Sequence, residues 1–514
     1  MNNKFYITSP LYYVNDLPHI GSAYTTIACD CIARYKRLQG FDVCFLTGTD
    51  EHGQKIFKAA KEKNMQPQEH CDFISNKFIE LWQLLNIKFD KFSRTTSKKH
   101  DIIVQEFFKT VLKTGDIYES DYEGLYCEGC EDFKTEKELL EGNLCPVHKL
   151  KVQDYKEKNY FFALSKYQDK LTKFLDENPG FIQPQYRKNE VLGWIKEGLK
   201  DFPISRQSVT WGIPIPDDTK QTIYVWFDAL LGYISGLLNE NETSDLGNAL
   251  KSFWPPSVHI IGKDILRFHA VYWPCMLMSA KLPLPIKVFG HGFLTKDGEK
   301  MGKTTGNIIN PYELINEFGT DAVRFYFLRE IIFGRDGDFT RENFINRINS
   351  DLANNLGNLL NRSTNLVIKN FNGEVSNEGK INDFLGLNDK LNLTIENYKK
   401  HMDNLELKDA LDAVWQLVDS TNKAFNDKQP WKLIKNNELN LAKGCLYETL
   451  EILRNISILI NPFIPETSLK IYKQLGYDRL NEYKEWENLG LEKAKNGFKI
   501  AETSLIFPRI EVNK

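Results

Sequence analysis

Several things are scarce in this chain, and each shortage closes off a class of function. The longest apolar run, Ile452 to Ile464, is interrupted by Arg454, Asn455 and Asn461 and is too short to cross a bilayer. Met1-Asn2-Asn3-Lys4 leads straight into a strand-like alternation, with no signal-peptide apolar core and no Arg-rich transit helix. The nine cysteines are an odd number in a long chain and argue for a reducing compartment. A cytoplasmic location without membrane contact is therefore expected. A net charge of −3 lacks the excess of basic residues that marks general nucleic-acid binders, so any basic surface must be local. Internal repeats and low-complexity segments are absent as well.

What is present suits a multidomain globular protein. At 514 residues the chain is too long for one core, and three or four domains are expected. Phe5-Tyr6-Ile7-Thr8 reads as a buried strand, Pro10 to Tyr24 as a loop, and Tyr24 to Leu38 as a helix stopped at Gln39-Gly40. Strand, loop and helix in this order place the loop at the carboxyl edge of a parallel sheet, where such folds bind ligands. Within the loop, Gly21 allows close approach to the backbone at a helix start, and His19 can donate to the same anion. Alone, a His-x-Gly before a helix is most often a plain turn. Far downstream, Phe293 to Thr304 forms a second turn-rich stretch that carries Lys300 and Lys303.

Pro18-His19-Ile20-Gly21 resembles the first signature of the class I aminoacyl-tRNA synthetases, and Lys300-Met301-Gly302-Lys303-Thr304 resembles their mobile lysine loop. Over essentially the whole chain the context is similar to the methionyl branch of that family. The resemblance implies a Rossmann-like parallel-sheet catalytic domain split by a zinc-knuckle insertion, then a small connector and a C-terminal helical anticodon-binding bundle. The boundaries expected are 1–113 and 211–293 for the two catalytic halves and 114–210 for the insertion. The connector with the lysine loop takes 294–350, and the bundle 351–514.

The implied chemistry joins methionine to tRNA(Met) at the expense of ATP, with Mg²⁺ accompanying the nucleotide. His19, Gly21, Lys300 and Lys303 are the implied catalytic residues, and Asp264 and His291 join them around ATP. Asp50 ends the second strand and can bind a ligand ammonium or cap a helix from Gln54 onward; the resemblance favours the amino group of methionine. Trp226, Ala229 and Tyr233 fall on one helical face, an arrangement that is usually core. The resemblance makes that face a wall of the methionine pocket, completed by Leu11, Tyr13, Ile265 and His269. The family also implies that Asn358, Arg362 and Trp431 read the anticodon, a task for which guanidinium planes and indoles suit splayed bases. Without the resemblance, the same residues would read as a polar face beside a core tryptophan.

Cys127-x-x-Cys130 and Cys145-x-x-His148, separated by a polar loop, have the spacing of a closed tetrahedral Zn²⁺ site. A redox Cys-x-x-Cys is the rival, but its surroundings are not thioredoxin-like. Four protein ligands make the ion structural. Two positions depart from the family pattern: Ser22 stands where a second histidine is common, and Gly302 replaces a serine in the lysine loop. Within the family a cysteinyl enzyme is the nearest alternative, and outside enzymes a non-catalytic tRNA-binding relic. A monomer is expected, since no dimer-forming domain of the longer relatives follows the bundle.

Overall fold

The computed structural model describes residues 3–127, 132–134, 136–147, 149–239, 242–301, 307–376, 383–477, 480–481, 483–493 and 497–511. At its centre is a six-stranded parallel sheet in the order Lys91–Arg94, Asp42–Asp50, Lys4–Tyr13, Val258–Gly262, Val288–His291, Ile182–Gln183. The sheet therefore takes one strand, Ile182–Gln183, from within the span 114–210. Side chains alternate between faces as a pleated strand requires. Ile7, Phe45 and Ile260 belong to one apolar core, while their neighbours Tyr6, Leu46 and Ile261 belong to the other. Strand order reverses on either side of Lys4–Tyr13, and that reversal opens the crevice where ligands of such sheets bind.

The first strand bends as it reaches the crevice. Pro10 has no N–H to give a neighbouring strand, and the register against Asp42–Asp50 shifts between Thr8 and Leu11. The helix Ile20–Leu38 follows. Inserted between the sheet halves is an antiparallel pair, Ile117–Cys127 with Gln153–Phe162, whose far end carries the cysteine knuckle.

Beyond the sheet, Leu294–Lys296 pairs antiparallel with Glu299–Lys300 and parallel with Gly337–Phe339. Asp297 (φ 53°) and Gly298 (φ 78°) turn this hairpin, an Asp-Gly pair suited to left-handed positions. The helix Pro311–Phe318 begins as its sequence predicts, with Asn310 accepting from the Tyr312 N–H at 3.0 Å. Helices then dominate to the carboxyl end, joined by a small strand pair, Glu374–Ser376 with Gly497–Lys499. The core on one face of the sheet continues into these helices without a break. Buried Arg324 links three regions: it pairs with Asp30 at 2.7 Å and donates to the carbonyls of Leu85 and Phe463 at 3.1 and 2.8 Å.

Candidate active site

The carboxyl ends of four sheet strands enclose a cavity of about 920 Å³, large enough for a nucleotide and an amino acid together. Leu11, Tyr13, His19, Gly21, Asp50, Trp226, Ala229, Tyr233, Asp264, Ile265, His269 and His291 all line it. Twelve positions scattered over the sequence thus meet in one place.

His19 caps the helix Ile20–Leu38: its Nδ1 accepts from the Gly21 N–H at 3.0 Å. Nε2 therefore carries the proton of the neutral ring, and crowding by protein lowers the pKa and favours that neutral form. A Cβ at Gly21 would stand 2.8 Å from His19 Cε1, so glycine is what lets the ring fold over the helix start. Ser22 completes a capping box, donating to the His19 carbonyl at 2.7 Å and accepting from its N–H at 3.2 Å. The departure from a second histidine thus has a local structural use.

The opposite wall is aromatic. Trp226 stacks on Phe268 with ring centroids 3.7 Å apart and meets the edge of Tyr13 at 6.3 Å. The Tyr233 hydroxyl donates to His269 Nε2 at 2.8 Å, and His269 Nδ1 donates to the Ile265 carbonyl at 3.0 Å. Burial holds the His269 pKa down to about 4, so this pair is uncharged. His291 is fixed similarly, with Nδ1 donating to the Gly292 carbonyl at 2.7 Å and Nε2 accepting from Thr25 at 2.8 Å. Burial brings it also to about 4. Both nitrogens are engaged, so His291 meets the cavity as a neutral ring.

Two local expectations change. Trp226, Ala229 and Tyr233 share the cavity wall, but two short helices, Val225–Ala229 and Gly232–Ser235, carry them in place of one. A Cβ at Gly232 would lie 2.3 Å from Leu11 Cδ1, so the break sits where the backbone must approach Leu11 closely. Asp50 caps no helix: the helix Gln54–Glu62 starts at Gly53 without a side-chain cap, and Asp50 is buried at the cavity instead.

Behind the aromatic wall lies a polar clamp that the sequence did not announce. Asp228 is fully buried and bonds His52 Nδ1 and His100 Nε2, each at 2.6 Å, while His100 Nδ1 meets Ser235 at 2.7 Å. Burial alone would raise the Asp228 pKa, but the two imidazoles hold it at about 2. Burial opposes a charge on His52, yet Asp228 raises its pKa overall. The clamp ties the Asp50 strand end to the helix that bears Trp226 and Ala229. Phe268 and Arg267 were also missed as lining residues, although they lie between Ile265 and His269; a π-helical turn, Phe268–Tyr272, brings Phe268 to the wall.

Phe293 and Leu294, at the root of the lysine hairpin, line the same cavity as His19. The Lys300 side chain and Lys303 lie outside the described residues, as do Cys130 and His148. Cys127 and Cys145 are buried and pack together with Val152. The Lys149 N–H returns to the Cys145 carbonyl at 2.8 Å, closing a tight knuckle whose Pro146 and Val147 reach the cavity. A buried thiol on such a turn, packed with a second at the end of the strand Ile117–Cys127, fits one half of a zinc-type ligand set. Among the described residues, His401, Glu406 and Asp409 also cluster within ion-binding reach, but on the surface of the helical domain.

In that domain Arg362 lies over Trp431 and Phe425, at 5.3 and 5.2 Å, and donates to Asn426 at 2.8 Å. Asn358 is exposed one turn earlier on the same helix, Asn358–Phe371.

Comparison with known proteins places this geometry. Residues 5–156 and 140–364 match the family model described as tRNA synthetases class I (M), and residues 376–514 match the anticodon binding domain of methionyl tRNA ligase. The chain is 51% identical to the chloroplastic/mitochondrial methionine–tRNA ligase of Arabidopsis thaliana, over 99% of its length and 83% of that protein. It is 49% identical to the methionine–tRNA ligase of Synechocystis, covering 95% of this chain and 94% of that one. Mycobacterium tuberculosis methionyl-tRNA synthetase in complex with methionyl-adenylate superposes with a TM-score of 0.93 at 40% identity, covering 98% of this chain and all of that one.

Proposed function

The chain belongs to the methionyl branch of the class I tRNA synthetases, and from that membership we propose that it is a methionine–tRNA ligase working at the 920 Å³ cavity. An oxygen of the methionine carboxylate attacks the α-phosphorus of ATP, the bond to the bridging oxygen breaks, and pyrophosphate leaves with the electron pair. The terminal ribose hydroxyl of tRNA(Met), initiator or elongator, then attacks the adenylate carbonyl. The carbonyl–oxygen bond breaks, AMP departs, and the hydroxyl proton passes to the leaving phosphate or solvent. Neither step needs a protein nucleophile, so positioning and charge stabilisation carry the rate.

The His19 Nε2–H and the amide at Gly21 are assigned to the phosphates, joined by Lys300 and Lys303 as the hairpin closes. Asp264 and His291 are assigned to the nucleotide side. Mg²⁺ supplies further neutralisation of the phosphates when ATP is bound. Asp50 receives the methionine ammonium. Leu11, Tyr13, Trp226, Ala229, Tyr233, Ile265 and His269 surround the side chain, where sulfur against aromatic edges gains about 0.3–1.5 kcal/mol. The uncharged Tyr233–His269 pair suits a thioether, which has no charge of its own to offset.

Cys127, Cys130, Cys145 and His148 are assigned to one structural Zn²⁺, a reading supported by the buried packing of Cys127 and Cys145. Holding the knuckle would hold Pro146 and Val147 against the cavity. Asn358, Arg362 and Trp431 are assigned to the anticodon, with stacking on exposed rings contributing roughly 1–3 kcal/mol per base. The boundaries 1–113, 114–210, 211–293, 294–350 and 351–514 serve as the working division. A monomer in a reducing compartment such as the cytoplasm is assigned, the compartment supported by the buried thiols. No helix among the described residues is long and apolar enough to cross a membrane.

The observation that carries this reading is the meeting of the helix-start turn, Asp50 and the aromatic wall in a single cavity. Amino-acid-dependent ATP–pyrophosphate exchange tests it. Exchange is expected with methionine. Exchange with cysteine and not methionine would refute the assignment, and tRNA binding without exchange would favour a relic.

A further inference from the structure

At its amino edge the parallel sheet has a second opening, and the chemistry there differs from that of the catalytic cavity. A cavity of about 630 Å³ lies between the sheet and the helical domain. Phe5, Lys36 and Lys287 line it from the catalytic side, and Lys399, Asp403 and Trp486 from the helical side. Three ammonium groups thus face one carboxylate. Asp403 is already shared, with Lys36 Nζ on Oδ1 and Lys399 Nζ on Oδ2, each at 2.6 Å. Lys36 is pinned further over the rings of Phe41 and Phe5, at 5.1 and 5.7 Å.

Lys287 is the exception. It is half-buried, and among the described residues its ammonium has neither an ion pair nor a hydrogen bond, although its backbone carbonyl accepts from the His259 N–H at 2.9 Å. Burial and the Lys36 ammonium push its pKa down, and Asp403 only partly compensates. A partly desolvated ammonium beside a like charge is costly unless an anion meets it. The same cavity presents the apolar surfaces of Phe5 and Trp486. Its volume falls in the range of small-molecule sites.

We propose that this domain-junction cavity binds a small ligand that bears a phosphate group and a flat ring, about the size of a mononucleotide. Lys287 is the anchor of the phosphate, Lys36 and Lys399 stand beside it, and the ring lies on the Phe5 and Trp486 side. Such a ligand touches both domains at once and stabilises their docking by mass action.

Isothermal titration calorimetry of the whole chain tests this with uridine monophosphate and, separately, inorganic phosphate. Neither probe is a substrate of an ATP-dependent ligation. Uridine monophosphate is expected to bind more tightly than phosphate alone. Lys287→Glu should weaken it about ten- to a hundredfold, the worth of one hydrogen bond to a charged group, while leaving methionine-dependent exchange unchanged. Lys287→Met keeps the packing of the stem and should give a similar loss, which separates lost charge from lost folding. Lys300→Ala, a change in the loop assigned to the ATP phosphates, should not change binding of the probe. Equal binding of phosphate and nucleotide, indifference to both Lys287 variants, or loss in Lys300→Ala would each overturn the proposal.

Discussion

In the catalytic cavity His269 and His291 have both ring nitrogens bonded inside the fold, and both carboxylate oxygens of Asp228 behind the wall are likewise taken. At the corner of the helical domain Arg362 rests mainly on ring faces, and Trp431 is 37% exposed. Small rigid substrates gain from groups fixed in advance, since misplacement near the reacting atoms costs rate steeply. RNA loops rearrange on binding, and exposed stacking surfaces can follow them. The two regions therefore differ in what a substitution should do: inside, it disturbs the fold and the small substrates together; outside, on the proposed anticodon role, it should affect tRNA alone.

The largest break in that contrast is expected at Asp228. Asp228→Ala leaves His52 and His100 buried without their shared partner and should cost about 3–5 kcal/mol in denaturant unfolding. Asp228→Asn should cost less. The pH dependence sharpens the same point. The folded-state pKa values of His269 and His291 lie at about 4, below the ordinary 6.5. The folded form thus binds fewer protons between these values, so the stability they contribute is complete above 6.5 and is lost as pH falls toward 4. His52 acts oppositely, contributing below its ordinary pKa and losing that contribution as pH rises through its raised value. Unfolding midpoints measured down to pH 4 should decline in the wild type and decline less in His291→Gln. An equal decline in both would remove His291 from the account.

Next in size is Lys303→Ala. If the lysine hairpin closes on the triphosphate, loss of one charged donor should reduce ATP–pyrophosphate exchange about 10²- to 10³-fold, with the unfolding midpoint unmoved. Normal exchange would detach the hairpin from the chemistry, although its root lines the cavity.

How far the sequence reaches into this site depends on whether a position is set by local periodicity or by tertiary fit. The order of strand, turn and helix around His19 was legible, because apolar alternation and a glycine at the helix start are local signals. The expected loop Pro10 to Tyr24 is shorter, however, the strand running on to Tyr13 and the helix beginning at Ile20. That Gly21 is needed for the His19 ring itself was not, since it depends on where one imidazole folds. The aromatic wall was legible as a set of residues but not as two short helices, because the break at Gly232 answers to Leu11, more than two hundred residues away. Phe268 escaped because a π-helical turn changes which residues share a face, and a 3.6-residue period cannot reveal one. The Asp228 clamp escaped for a related reason: His52, His100 and Asp228 are far apart in the chain and carry no shared spacing.

Trp431→Ala should weaken tRNA(Met) binding by about 1–3 kcal/mol and leave methionine-dependent exchange as it was. Gel-shift or filter binding beside the exchange assay reads both. A fall in exchange would mean that the exposed corner is coupled to the cavity, and the separation of the two regions would fail.

Tyr233→Phe makes the smallest change and the finest test. It removes one hydroxyl and keeps the ring, so the aromatic wall retains its shape. What is lost is the donor to His269 Nε2, leaving a buried acceptor, while the bond to the Ile265 carbonyl still orients the imidazole. The expected cost is about 1 kcal/mol of unfolding free energy, because the bond already exists without substrate. The KM for methionine rises, with kcat nearly unchanged, only as far as the imidazole shifts against the bound side chain. A fall in kcat at constant KM would instead make the hydroxyl part of the step at the carboxylate. The prefixed polar groups of the cavity would then serve the reaction as well as the recognition of its substrate.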